Sequence, residues 1–137
     1  MKNLGKIILN LILIAVFLLA MFNIFKNFDK EEANTSPEVG IEILTEGEGE
    51  GAKAGDTLSV NYVGTFEGGE EFDSGTFDFI LGNHSVIEGW EQGILGMKKG
   101  EKRKLFVPYE LAYGEDGYAS IPPKTDLYFE VELLDIK

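Results

Sequence analysis

The residues of this chain with the most capacity for chemistry are aromatic. Tyr62, Phe72, Phe77, Phe79, Trp90, Tyr113, Tyr118 and Phe129 exceed what a core of this size needs, and several stand next to turns. "FDSG" puts Asp73 directly after Phe72, and "ELAYGEDGYASIPP" puts Tyr113 before a Gly-rich loop. An aromatic-lined cup with a few polar tips is how a small-molecule or peptide pocket is built. The same residues could instead fill a core, which spacing alone favours while leaving the pocket reading open. Trp90, the only tryptophan, sharpens the question. It lies in "SVIEGWEQGILGMKKGE", between Gly89 and Gly93, and glycine inside a helix costs roughly 0.5–1 kcal/mol relative to alanine.

Other chemistries find little support. There is no cysteine, hence no thiolate nucleophile, disulfide framework or Cys-based zinc site. His84 is the only histidine, without a neighbouring serine–acid constellation or further ligands, so a triad or metal role is disfavoured. Acid pairs such as Glu70/Glu71 and Glu115/Asp116 lie in turn-like segments, and nothing sets them across a substrate as glycoside hydrolysis requires. In "GEGEGAKAGD" glutamates alternate with glycines and a strand follows, which describes a surface turn rather than a phosphate cradle. The net charge is −12. Lys2, Lys6, Lys26 and Lys30 are balanced by Asp29, Glu31, Glu32 and Glu38, so the excess falls on the chain after residue 38. "KKGEKRK" on so acidic a domain is a solvated turn and strand face, and nucleic-acid binding is disfavoured.

The elements that must position these residues fall into three parts. From Ile7 to Phe25 only Asn10 and Asn23 interrupt an apolar run. At about 1.5 Å per residue, such a run approaches the ~30 Å hydrocarbon thickness of a bilayer. A cleaved signal peptide competes, but "FLLAMFN" has bulky residues where a cleavage site wants small ones. Residues 1–28 are therefore expected to form a transmembrane signal anchor that crosses the membrane through residues 7–25. Lys2 and Lys6 favour an inside N-terminus, although Lys26 and Lys30 sit on the other flank, so the domain is expected on the extracytoplasmic side. Residues 29–38 read as a polar, flexible linker.

Residues 39–137 read as the folded domain. "TLSVNYVGTFE" alternates, with Leu58, Val60, Tyr62, Gly64 and Phe66 on one face, and "DLYFEVELLDI" does so with Leu127, Phe129, Val131 and Leu133 inward. "EKRKLFVP" sets Arg103, Leu105 and Val107 on one face, while "VGIEIL" and "TFDFIL" are further short strands. Only "VIEGWEQGIL" has helical spacing, with Val86, Ile87, Trp90 and Ile94 on one side. An α+β domain is expected, a curved antiparallel sheet folded over one short helix.

"VNYVGTFEGGEEFDSG", "VIEGWEQGILGMKKGEKRKLFVP" and "LAYGEDGYASIPPKTDLYFEVELLDI" resemble the FKBP-type peptidyl-prolyl cis-trans isomerases over the whole of residues 39–137. The resemblance implies a half-open five- to six-stranded antiparallel sheet wrapped around one α-helix, with a pocket between them. It implies pocket positions at Tyr62, Phe72, Asp73, Phe77, Val86, Ile87, Trp90, Tyr113, Ile121 and Phe129, with Tyr118 at the rim. Trp90 would form the floor under a proline ring, with Tyr62, Phe77 and Phe129 as walls. The Ile87 N–H and the Tyr113 hydroxyl would hold substrate carbonyls, and Asp73 would orient the amide electrostatically. No cofactor or metal is implied. The implied partners are proline-containing unfolded or partly folded polypeptides, and macrolide immunosuppressants as inhibitors. A non-catalytic proline-peptide binding module and a membrane-tethered chaperone are the rival readings. The chain departs from the family's pattern in two places. The loop expected after Asp73, "SGTF", is short and lacks the usual following arginine, which leaves Asp73 to Tyr62 and solvent. The flap "GEDGYASIPP" is also slightly short.

Overall fold

The structure, a computed structural model, describes residues 3–28 and 36–137. The linker expected over 29–38 therefore lies outside the described residues from 29 to 35. The chain divides into two units, Met1–Ser36 and Pro37–Lys137.

In the first unit the described residues form one helix, α1, over Leu4–Phe28. Its stretch Leu4–Phe22 is long and apolar enough to cross a membrane, and none of it is buried. By length and composition it suits a membrane anchor and a signal sequence alike.

The second unit contains five strands and one helix. In chain order these are β1 (Gly40–Thr45), β2 (Thr57–Thr65), β3 (Glu71–Ile80), α2 (Glu88–Ile94), β4 (Lys102–Val107) and β5 (Leu127–Ile136), with a single 3-10 turn at Tyr109–Leu111. The strands form one sheet in the order β1-β4-β5-β2-β3, and every pairing is antiparallel. The alternation in sequence sets its faces. Leu58, Val60, Leu105, Val107, Leu127, Phe129, Val131 and Leu133 are all buried, and α2 covers the face they share.

Two details depart from the expected boundaries. "SGTF" is not a loop: β3 runs unbroken from Glu71 to Ile80, with Gly75 opposite Tyr62 and Thr76 opposite Asn61. The reason is that β2 offers a continuous partner there, so the backbone groups of residues 74–77 are better satisfied in the ladder than in a turn. Val86 and Ile87 precede the helix, with Ile87 at the N-cap position, and only Trp90 and Ile94 of the expected apolar face lie inside α2.

A seven-residue helix is too short to be stable alone and must be held by packing. The glycines make that packing close. A Cβ on Gly89 would fall 2.3 Å from Val107 Cγ1, and one on Gly93 would fall 2.8 Å from Leu105 Cδ1. Both glycines thus sit where the helix backbone rests on β4 side chains. The far end of α2 is tied by Arg103, whose Nη1 donates to the carbonyls of Gly93 and Leu95 at 3.0 Å each. Its guanidinium also pairs with the buried Glu101 carboxylate. This explains how an arginine occupies an inward position of β4: the orphan carbonyls of the helix end and one carboxylate satisfy it.

Candidate functional site

Between α2 and the concave face of the sheet lies a cleft of about 390 Å³, within the range of small-molecule sites. The sheet contributes Tyr62 from β2, Phe72, Asp73 and Phe77 from β3, and Phe129 from β5. The helix contributes Trp90, the segment ahead of it His84, Ser85, Val86 and Ile87, and the loop after the 3-10 turn Tyr113. Trp90 joins three rings at once: Tyr62 at 5.2 Å and 75°, Phe129 at 5.5 Å and 83°, and Phe79 at 5.8 Å. Edge-to-face contacts of this kind are favoured by the ring quadrupoles. Trp90 is only 5 % exposed, so the two readings of this residue are not exclusive. It is packed as core on its sheet side and still lines the cleft. Its indole N–H is buried with no hydrogen-bond partner among the described residues.

Gly64 shapes the wall. A Cβ there would meet Phe72 Cζ at 2.6 Å and Phe129 Cε1 at 3.0 Å, so the absence of a side chain lets those two rings meet edge to face at 5.7 Å. Phe77 is 44 % exposed and stacks on Phe79.

Three of the polar lining residues, Tyr62, Asp73 and Tyr113, interact with one another, while His84 and Ser85 lie on the segment ahead of the helix. The Tyr62 hydroxyl donates to Asp73 Oδ2 at 2.7 Å, and the Ser74 N–H donates to Asp73 Oδ1 at 2.9 Å. Burial, then the hydrogen bond to the Asp73 carboxylate, push the Tyr62 hydroxyl up to about 12. Burial and, after it, the Asp73 charge also raise Tyr113 above the ordinary tyrosine value. Both phenols are therefore protonated donors at neutral pH. Among the described residues Asp73 meets no arginine. It relies on a phenol and a backbone amide from its own neighbourhood.

Ahead of α2 the chain is held by a residue that sequence reasoning missed. Glu91, 8 % exposed, accepts from the Gly82 N–H at 2.7 Å and the His84 N–H at 2.9 Å. Gly82 and His84 both have positive φ, at 90° and 54°, a region costly for a residue with a side chain. The carboxylate thus clamps a tight segment that carries Ser85, Val86 and Ile87 to the cleft. The Ile87 carbonyl accepts from the Trp90 and Glu91 amides, and its N–H has no acceptor among the described residues. No apolar periodicity signals Glu91, because its partners are backbone amides of a preceding turn. His84 and Ser85, also unforeseen as lining residues, come to the cleft on the same turn, and His84 Nδ1 lies 3.5 Å from Glu88.

Two expected site residues, Tyr118 and Ile121, are not among those that line the cleft. Tyr118 is 67 % exposed and stacks on Tyr113 at 5.4 Å and 15°, so it backs a lining residue from outside. Ile121 is buried in the core, because its backbone exchanges two hydrogen bonds with Tyr118 and turns its side chain inward. Among the described residues no three His, Asp or Glu side chains converge to hold a metal ion.

Comparison with known proteins places this arrangement. Residues 48–134 match the family model described as FKBP-type peptidyl-prolyl cis-trans isomerase. The chain is 43% identical over 115 residues to FK506-binding protein 3 of Dictyostelium discoideum, covering 74% of this chain and 59% of that one. It is 42% identical over 119 residues to the FKBP-type peptidyl-prolyl cis-trans isomerase FkpA of Escherichia coli K12, covering 82% and 43%. It is 51% identical over 92 residues to the human peptidyl-prolyl cis-trans isomerase FKBP2, covering 63% and 65%. The chain spans less than two thirds of the length of each of these relatives. The matched residues include the whole aromatic cleft, the α2 helix with its two close-packed glycines, strands β2, β3 and β4 and most of β5. The chain belongs to the FKBP-type peptidyl-prolyl cis-trans isomerase family.

Proposed function

We propose that this chain is a peptidyl-prolyl cis-trans isomerase that accelerates X–Pro rotation in folding polypeptides through the cleft over Trp90. One observation carries the reading. A ring-lined cleft over Trp90 carries a small polar cluster, the Tyr62–Asp73 pair with Tyr113 near it, on a chain whose family membership is established above.

The chemistry asked of such a cleft is modest in kind. Rotation about X–Pro faces a barrier of about 18–20 kcal/mol, because the twisted state loses amide resonance. Unaided, it takes tens to hundreds of seconds. The twisted amide is less polar at its carbonyl than the planar one, so a water-poor pocket favours it, and only such differential binding speeds the step. Trp90 is the floor under the proline ring, with Tyr62, Phe72, Phe77 and Phe129 as walls and Val86 at the edge. The free Ile87 N–H and the Tyr113 hydroxyl hold substrate carbonyls. Asp73, an acceptor for Tyr62, acts through its field and removes no proton. Tyr118 and Ile121 serve indirectly, by supporting Tyr113 and its loop. Macrolides of the FK506 type, named in one relative, compete for the same cleft.

Residues 39–137 form the catalytic domain, 29–38 a tether and 1–28 a membrane anchor, with the domain on the extracytoplasmic side. The apolar helix α1 and the lysines at its start support that arrangement. The decisive experiment measures cis-trans exchange of a proline tetrapeptide by NMR with catalytic amounts of the chain. Acceleration that a macrolide abolishes is the expected result. Peptide binding without acceleration would instead establish a non-catalytic binding module.

A further inference from the structure

We propose that the free edge of β3 is a strand-addition site, which takes the extended polypeptide next to the proline held in the cleft. The inference rests on the isomerase reading of that cleft and adds a second, sequence-tolerant contact to it. β3 is a terminal strand of the sheet. The direction of its backbone groups follows from bonds at the ladder ends. Thr57 and Lys137 exchange N–H···O bonds of 3.1 and 2.8 Å, so odd-numbered residues of β2 turn toward β5. The Leu81 N–H donates to the Asp56 carbonyl at 3.0 Å, so odd-numbered residues of β3 turn toward β2. The register between β2 and β3 is unbroken from Thr57↔Ile80 to Gly64↔Asp73. Thr76 and Asp78 therefore direct both N–H and C=O away from the sheet, and among the described residues nothing in the chain bonds them. The open stretch is bounded by Ser74, whose N–H is taken by Asp73, and by Ile80, whose carbonyl accepts from Asn83.

This edge is continuous with the cleft, because Asp73 and Phe77 of the same strand line it. An open edge is a template for an incoming chain, and proline itself dictates how that chain lies. In an antiparallel addition, residues bonded to Thr76 and Asp78 share their convex face, while those whose nitrogen turns away share the concave face of Gly75 and Phe77. Proline has no N–H and is tolerated only at the second kind of position. It therefore faces the cleft side. Charge also selects the occupant: no lysine or arginine occurs between Lys53 and Lys98, and Asp73 and Asp78 stand along the strand, so the site suits an extended, basic, proline-containing segment.

The test uses the full chain in detergent micelles and a lysine-bearing nonapeptide with a central proline. Single N-methyl groups are walked along the peptide. Methylation at positions that turn to β3 is expected to weaken binding about fivefold for each bond lost, with little effect at the positions between. The Thr76 and Asp78 amides should become protected from hydrogen exchange in the saturated complex. A methyl scan without period-two alternation, or unchanged exchange at those two amides, overturns the edge site. Failure of the nonapeptide to bind overturns it as well. If a proline tetrapeptide is accelerated while the longer peptide shows no alternation, the edge site fails alone. If alternation and protection appear without acceleration of any peptide, the edge site stands and the isomerase reading falls.

Discussion

Gly89→Ala isolates the close approach of helix to sheet on which the cleft depends. The added methyl would lie 2.3 Å from Val107 Cγ1 and 2.9 Å from Cγ2. Carbon atoms in contact prefer about 3.5–4.0 Å, so more than about 1 Å must be absorbed. Val107 is fully buried and β-branched, with little rotamer freedom to yield. Overpacking of this kind costs about 1–3 kcal/mol, and alanine returns roughly 0.5–1 kcal/mol through backbone entropy. With so deep an overlap the net is a destabilisation of about 2 kcal/mol. Urea unfolding followed by Trp90 fluorescence measures it, since the chain has no other tryptophan. Relief by sliding α2 off β4 would move Trp90, the next residue, so isomerase activity should fall with stability. Val107→Ala removes both clashing atoms and alone costs about 2 kcal/mol. In the double variant the new methyl enters that space, and the two changes should couple by at least about 1 kcal/mol. Gly89→Ala that is neutral or stabilising, with no coupling to Val107, would refute the account and leave the glycines as mere flaws in a helix.

Trp90→Leu keeps an apolar side chain but removes the floor of the cleft. It should leave a folded domain, weakened by about 2–3 kcal/mol, with X–Pro exchange slowed at least about tenfold, read by circular dichroism and NMR exchange; outright unfolding would reduce Trp90 to core. Glu91→Gln turns one acceptor oxygen into a donor facing a backbone N–H, so one of its two hydrogen bonds is lost. A cost of about 1–3 kcal/mol is expected, with faster hydrogen exchange at Gly82 or His84, while exchange in the sheet changes little. Tyr62 carries the pH prediction. Its hydroxyl has a folded pKa raised to about 12, so its contribution is complete below the unfolded value near 10 and is lost as pH rises through the folded one. Stability should therefore decline between pH 10 and about 12, and Tyr62→Phe should flatten that limb; an unchanged alkaline profile would show that Tyr62 is not the group responsible.

Much of the fold was legible because strand alternation reports burial directly. Leu58 and Val60, Leu105 and Val107, and Leu127 to Leu133 each declare one face, and those faces form the core. Arg103 was legible as inward by the same alternation, although only the structure shows what satisfies it. The boundary of α2 was less legible, since Val86 and Ile87 fit the helical period but are held by a turn. The supposed loop after Asp73 was misread because the strand signal pauses at Ser74-Gly75, whereas pairing with β2 does not.

The candidate site divides along the same line. Trp90 with its glycines, the Phe72-Asp73 step and Tyr113 stand out in the sequence by residue type, and their family resemblance carries the expected activity. Residue type follows from local chemistry and can be read one position at a time. What converges on one cleft depends on register and on the seating of a helix, which are properties of the assembled sheet. Only the tertiary structure shows that Gly89 rests on Val107, that Glu91 clamps the Gly82–His84 turn, and that Tyr118 supports Tyr113 from outside. It alone leaves Thr76 and Asp78 on an open edge beside the cleft, because which way a strand's backbone groups turn is decided by the neighbour it pairs with.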